Sequence, residues 1–153
     1  MEMKTTINLF IAIALFAAAA AHADGGLVNV PSRFSVQETA DRFAAAAEQA
    51  GLKLFARIDH AAGAEKVGMP LRPTQLIIFG SPKVGTAIMT SDQRAGIDLP
   101  LKALAWQDAE GKVWLSYNSP DYLFGRFAIE DRAPVKQKIT GALAKFAKAA
   151  TQP

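Results

Sequence analysis

Residues 76–79 read Leu-Ile-Ile-Phe, an uninterrupted apolar run. Such a run is typical of a strand in the middle of a sheet, buried on both faces. Further along the chain, residues 101–107 and 112–118 flank the polar segment Asp-Ala-Glu-Gly at positions 108–111. This arrangement predicts a β-hairpin with Gly111 at the left-handed position of its turn. The run and the hairpin together predict the centre of a β-sheet.

Helical patterns lie on either side of these strands. Ser35 and Glu38 have the spacing of a capping box, and Gly51 stands where a glycine commonly follows the end of a helix. A closing helix is predicted to begin near Pro134, with one apolar face. That face consists of Val135, Ile139, Leu143, Phe146 and Ala147.

The remaining segments complete the predicted fold. Residues 27–30 read as a strand that Pro31 should end, and residues 52–59 alternate so that Leu52, Leu54, Ala56 and Ile58 would share one face. Short helices are predicted over residues 60–66, 82–89 and 120–126, with a loop over 91–96. This order predicts an α+β fold, a two-layer α/β sandwich with helices packed on one face of a mainly antiparallel four- to five-stranded sheet.

Residues 1–23 have the features of a cleaved signal peptide. A short charged start precedes an apolar stretch over residues 7–21, and Ala21-His22-Ala23 has the small-x-small pattern of a cleavage site. The alternative is a membrane anchor, but a span needs about 20 apolar residues and this stretch is shorter. We therefore expect residues 24–153 to form a single exported domain, periplasmic or secreted, without a stable membrane anchor and ending in a basic amphipathic helix.

Composition excludes several classes of protein. The chain has 153 residues and no cysteine, with 17 Lys+Arg against 14 Asp+Glu. Without cysteine there is no disulfide scaffold, thiol nucleophile, cysteine-ligated zinc or iron–sulfur cluster. The net charge of +3 is too small to indicate nucleic acid as a partner.

Familiar catalytic motifs are missing from the sequence. The segment Gly80–Thr86 resembles a phosphate loop, but the lysine required before the threonine is absent and Pro82 removes a backbone donor. A tight strand-to-helix turn is the better interpretation. No Gly-x-Ser-x-Gly elbow occurs, and no ligand spacing indicates a metal site.

One histidine, His60, follows the predicted leader. It ends a strand directly after Asp59, and histidine is the residue type whose charge can change near neutral pH. The structural alternative is that it caps the Ala-rich turn behind it. Lys136, Lys138, Lys145 and Lys148 make the polar side of the last helix basic. This side suits a membrane surface or an acidic partner, although a solvated helix face is the simpler interpretation.

Six segments, read together, resemble the domain of unknown function 302 family. They are residues 58–64, 71–74, 76–82, 85–89, 97–102 and 115–118, the last followed by Pro120 and Tyr122. They occur in the family's order and cover about Val28 to Phe127. One departure is Ser81, where the family commonly has asparagine after the Phe-Gly pair.

The resemblance implies a compact two-layer α/β fold and a tendency to form homodimers, and it implies no established activity. Our first hypothesis is an exported, non-enzymatic accessory module that binds a small ligand, or a metal or haem, in a groove near His60. Asp98, Tyr117 and Tyr122 are its predicted polar neighbours; no motif identifies a cofactor, and His60 is the one candidate metal ligand. The alternatives are a homodimeric protein–protein interaction domain without a ligand, and an enzyme that uses His60 as acid and base.

Overall fold

The computed structural model describes residues 22–153, which form six strands, five helices and one 3₁₀ turn. The predicted signal peptide lies almost entirely outside the described residues, and its predicted cleavage point after Ala23 falls within the first strand. In chain order the elements are β1 His22–Asp24, β2 Leu27–Ser32, α1 Val36–Gln49, β3 Lys53–Asp59, α2 His60–Lys66, β4 Thr74–Gly80, α3 Pro82–Met89, the 3₁₀ turn Gln93–Ile97, β5 Leu101–Gln107, β6 Val113–Asn118, α4 Pro120–Arg126 and α5 Ala133–Thr151.

The strands form one sheet in the order β1-β2-β6-β5-β4-β3. Every neighbouring pair is antiparallel. β4 and β5 lie inside the sheet, as the apolar run and the hairpin predict, and β1 adds three residues at one edge. The predicted α+β sandwich is confirmed, with β2 to β6 as its main strands.

The core lies between this sheet and a layer of helices on one face. Phe43 of α1 is fully buried against Phe79 of β4, with ring centroids 4.9 Å apart, and against Phe146 of α5 at 6.0 Å. Side chains at alternate sheet positions complete this core, among them Ile77, Ala103, Ala105 and Leu115. Because side chains alternate along a strand, the intervening residues point away from the helices.

The opposite side of the sheet, which we call the open face, carries large apolar side chains together with the polar residues Asn29, Lys102, Ser116 and Asn118. Trp106 and Trp114 pair across the hairpin and stack with centroids 6.4 Å apart. The other large side chains on this face are Leu27, Ile58, Leu76, Ile78 and Leu104. Leu27 and Ile58 are exposed and the others are half-buried.

Two strand predictions need correction. β2 does not end at Pro31, which pairs with Trp114. β1 pairs with residues 27–29, so Pro31 lies beyond this pairing, at the edge of the sheet, where its missing N–H is tolerated. β3 does not keep one alternating face, because a β-bulge at Phe55 shifts the register between Leu54 and Ala56. Leu54 therefore faces the helices with Phe79, whereas Ala56 and Ile58 lie on the open face.

Two local predictions are only partly correct. Ser35 Oγ accepts from the Glu38 N–H at 3.1 Å, as a capping box requires. The Glu38 carboxylate, however, accepts from Arg42 Nε at 2.9 Å, because an (i, i+4) partner on the same helix face competes for it. The segment predicted as a loop over residues 91–96 contains a 3₁₀ turn, capped by Asp92.

Three helices end in the same backbone motif, α1 and α2 with glycine (Gly51 and Gly68) at the left-handed position and α4 with Ala128. After α1, the N–H groups of Gly51 and Leu52 donate to carbonyl oxygens of the last helical turn, and Gly51 has φ +79°. After α4, Ala128 and Ile129 make the equivalent bonds, and Ala128 has φ +48°. All three are Schellman ends, which favour glycine at the left-handed position. Ala128 therefore carries strain that Gly51 avoids.

We expect replacement of glycine by alanine at position 51 and of alanine by glycine at position 128 to change the stability in opposite directions. Gly51→Ala should lower the free energy of unfolding by about 1 kcal/mol, and Ala128→Gly should raise it by about 0.5 to 1 kcal/mol. Urea unfolding monitored by circular dichroism measures both values. Gly141→Ala, on an exposed face of α5 where a Cβ meets no neighbouring atom, is the control for helix propensity alone and should be stabilising. A stabilising Gly51→Ala would contradict this account.

Candidate functional site

His60 is the first residue of α2, and its side chain is exposed. The helix is capped by the preceding residue, since Asp59 Oδ1 accepts from the Ala62 N–H at 2.9 Å. The structural alternative, in which His60 is the cap, is therefore wrong. A wide open groove runs beside α2, between the start of α1 and residues 68–75. His60 is not among the residues that line it.

Asp98 and Tyr122 lie together at another part of the molecule. Arg126 Nη1 donates to both carboxylate oxygens of Asp98 at 3.0 Å, and it lies 3.5 Å from the Tyr122 hydroxyl. Asp98 and Tyr122 also border a cavity of about 20 Å³. This space is the size of one water molecule, so this cluster does not enclose a larger ligand.

Tyr117 belongs to the hydrophobic core, with 8% of its surface exposed. Burial raises the pKa of its phenol above the ordinary value of 10.0, because the charged form loses water. Its strand neighbours on either side are Val28 and Ala103. Tyr117 therefore contributes to packing in this fold.

The structure does not bring the four predicted site residues together. β4 and β5 separate the β3 edge, which His60 follows, from the β6 strand of Tyr117. Asp59, the residue before His60, is in register with Gln75 and Ala105, at the end of the sheet that carries the hairpin turn. Asp98 and Tyr122 lie near Asn118, at the opposite end of β6. A single groove formed by His60, Asp98, Tyr117 and Tyr122 is therefore not present in the described part of the chain.

A partly open cavity with mostly apolar walls lies beside α3 and has a volume of about 310 Å³. We call it the α3 cavity. Its walls come from the end of β4, from α3, from the segment that enters β5 and from single residues of β3, the 3₁₀ turn and α5. The lining residues are Phe55, Gly80, Ser81, Pro82, Val84, Gly85, Thr86, Ile88, Met89, Gly96, Leu99, Pro100, Leu101 and Ile139.

Three of the family-like segments, residues 76–82, 85–89 and 97–102, line this cavity. Residues 79–82 turn the chain from β4 into α3 with Pro82 at the first helical position, as the sequence predicts. Residues 98–101 bring Leu99 and Pro100 to the opposite wall. In the sequence, these segments indicate strand ends with polar residues. The cavity leaves no comparable sequence signal, because its walls are apolar and come from residues far apart in the chain.

A polar network lies at the β3 edge, on the helix side of the sheet. Arg57 donates to Asp41 and, through Nη2, to Gln75 Oε1 at 2.7 Å; Gln75 Nε2 donates to Gln37 Oε1 at 2.7 Å. The hydrogen bond from Arg57 lowers the pKa of Asp41. The ionised carboxylate therefore stabilises the fold at neutral pH, and this contribution is lost as the pH falls through the folded-state pKa. Since these groups satisfy one another, the network joins α1 to the sheet.

The other sequence candidates are located on the surface. Lys136 Nζ donates to Asp121 Oδ1 at 2.8 Å, and Lys138, Lys145 and Lys148 are exposed on α5. Within residues 22–153, no three His, Asp or Glu side chains form a group that could hold a metal ion. A metal at His60 would therefore lack two further ligands of these types. Among the helices that the structure describes, none has the length and apolar character to cross a membrane.

Comparison with known proteins places the chain in a family. The model of the domain of unknown function DUF302 matches residues 28–146. A crystal structure of an uncharacterized conserved DUF302 protein from Bacillus stearothermophilus superposes with a TM-score of 0.73 at 17% identity, covering 82% of this chain and 98% of that one. At this identity the likeness supports the shared fold.

Two curated relatives are similar in sequence. The chain is 47% identical over 128 residues to Fluoride-specific ion channel FluC 1 of Brucella suis biovar 1, covering 81% of this chain and 50% of the relative. FluC 2 of Brucella melitensis biotype 1 matches at the same identity, over 47% of its length. The chain thus spans about half the length of these relatives. With the family model matching most of its sequence, the chain belongs to the DUF302 family.

Proposed function

We propose that this chain is an exported accessory module that binds a small ligand, and that the ligand occupies the α3 cavity. The observation that supports this proposal is the cavity itself, at about 310 Å³ with predominantly apolar walls. Small-molecule sites are usually concave, mostly apolar and largely preformed, with volumes from about 300 Å³ upward. Binding is favoured over catalysis because no acid–base pair lines this cavity.

The proposal moves the ligand away from His60. The ring of His60 is exposed on α2, and it does not line the α3 cavity. An exposed imidazole beside an open groove excludes little water, and therefore gives a ligand little apolar burial. The lining of the α3 cavity is less polar than the lining of that groove. We therefore assign the ligand to α3, and His60 becomes the control position.

Native mass spectrometry of protein purified from a periplasmic extract tests this assignment. We expect a bound molecule on wild type and on His60→Ala, and its loss from Val84→Trp, whose indole would occupy the cavity. Lys83→Trp is the matched control, because Lys83 is exposed on the same helix and does not line the cavity. Loss of the molecule from His60→Ala with retention by Val84→Trp would instead place the site at α2.

We further propose that the module is a homodimer joined through the open face. Clusters of large apolar side chains on a protein surface commonly mark interfaces. Lys102, a charged residue of β5 on this face, donates to the carbonyl oxygens of Asp98 and Pro100 at 3.2 and 3.0 Å. Two copies related by a twofold axis can therefore meet sheet to sheet with their Lys102 side chains already hydrogen-bonded.

Sedimentation velocity of wild type and two charge variants tests the dimer. Leu104→Glu would bury a carboxylate at the centre of the interface at a cost of several kcal/mol. We therefore expect the dissociation constant of the dimer to be at least about 100-fold higher than in wild type. Ala144→Glu, on the exposed side of α5, should leave the dimer intact. A wild type that is monomeric at every concentration would contradict the proposal.

The curated relatives suggest where such a module acts. They are named as fluoride-specific ion channels, and the part similar to this chain is about half of their length. Because the described helices of this chain are not membrane spans, we propose that the matched half of those relatives lies outside their channel. This chain would then have the corresponding accessory role beside a membrane channel.

Growth in fluoride tests the accessory role. Deletion of this chain from a bacterium that carries a fluoride-specific channel should lower the sodium fluoride concentration that stops growth, with sodium chloride as the matched control. Wild-type protein should restore growth. Equal fluoride tolerance with and without the chain would show that the module does not serve such a channel, and would leave the cavity assignment to be judged by mass spectrometry.

A further inference from the structure

Building on the ligand assignment above, we infer the chemical class of the ligand: a compact, uncharged, mainly hydrocarbon molecule with one or two rings or a branched chain. The first reason is charge. The lining of the α3 cavity contains no Asp, Glu, Lys, Arg or His, and its side-chain hydroxyls are those of Ser81 and Thr86. A buried ionised group without a partner is strongly unfavourable. An anionic or cationic ligand would therefore find no charged partner among the lining residues.

The second reason is volume. An apolar cavity of about 150 Å³ holds benzene, so about 310 Å³ accommodates a molecule of about twelve non-hydrogen atoms. Ile88 is fully buried at the cavity and Ile139 is 6% exposed. Both are well packed, so the wall that they form gives shape selectivity to whatever enters. A long chain or a nucleotide would extend outside.

The third reason is the way the space is kept free. Gly85 lies inside helix α3, where glycine costs about 1 kcal/mol relative to alanine. A Cβ at this position would lie 4.0 Å from Leu99 Cδ1, an ordinary contact distance. A side chain would thus be accommodated by the protein, but it would take volume from the cavity. Gly80 likewise leaves room beside Pro100, at 3.7 Å from a Cβ placed there.

An aromatic side chain stands at the rim. Phe55 is the residue at the β-bulge of β3, and it is 43% exposed. Its Cε2 atom lies 3.8 Å from the position of a Cβ on Gly80. Lys53 Nζ lies 5.3 Å from the ring centroid. The bulge therefore directs an apolar ring to the entrance, where it can contact an aromatic or branched ligand.

Benzyl alcohol and benzoate make a matched pair of probes, since both have one ring and they differ in charge. Binding is measured by saturation-transfer NMR, with thermal unfolding as a second readout. We expect benzyl alcohol to bind wild type at least about tenfold more tightly than benzoate, a difference of about 1.4 kcal/mol. Equal or tighter binding of benzoate would overturn the inferred ligand class.

Two positions locate the binding. Gly85→Leu should weaken benzyl alcohol binding at least about tenfold, whereas Gly141→Leu, a glycine of α5 with open space around it, should bind as wild type does. If Gly85→Leu does not fold, Gly85→Ala serves instead: it should melt higher than wild type and still bind more weakly. Unchanged binding in the Gly85 variant would overturn the location.

The outcomes separate this inference from the proposed function. A charged molecule found on the native protein, and lost in Val84→Trp, would keep the cavity as the ligand site and overturn the neutral class alone. Failure of both probes to bind, together with a native protein free of any bound molecule, would overturn both. Benzyl alcohol binding that is sensitive to Gly85 supports both.

Discussion

The contact of Phe43 with Phe79 and Phe146 is the interaction on which the rest of the structure depends. It joins α1, the sheet and α5 in one edge-to-face aromatic cluster, with Phe43 and Phe79 fully buried. Truncation of a buried phenylalanine typically costs about 3 to 5 kcal/mol, which is a large share of the stability of a domain of this size. The cluster is also close to the cavity: β4 ends at Gly80, one residue after Phe79, and the chain turns there into α3, which begins at Pro82.

The α3 cavity follows from that turn. β4 ends at Gly80, and α3 begins two residues later at Pro82. This helix packs against α5 and the 3₁₀ turn. The helix carries glycine at a position where a larger side chain would have filled the space. A well-packed core is thus adjacent to a region of low packing density. Such a difference within one small domain is the usual arrangement of a preformed binding site on a rigid scaffold.

Most of the fold could be predicted from the sequence because period and turn chemistry are local signals. The hairpin with Gly111 at φ +81°, the helix that ends at Gly51 and the apolar face of α5 all appear in the structure. The predicted assignment of the β3 side chains to one face is wrong, because the bulge at Phe55 has no local sequence signal. The site is harder to predict from the sequence than the fold. His60 is a candidate because of its chemistry, whereas the α3 cavity forms only where Leu99 and Ile139 come together in the folded chain. That meeting is a tertiary property.

The apolar run at residues 76–79 bears on the assembly as well as on the fold. Ile77 and Phe79 point into the helix layer and are fully buried, while Leu76 and Ile78 point to the open face and are half-buried. A strand with this composition is typical of a sheet that is covered on both faces, and the helices described here cover one. In the homodimer proposed above, the open face of the second copy would cover this side of the strand with apolar surface of the same extent. The assembly proposed above therefore completes the burial that the strand's own sequence predicts.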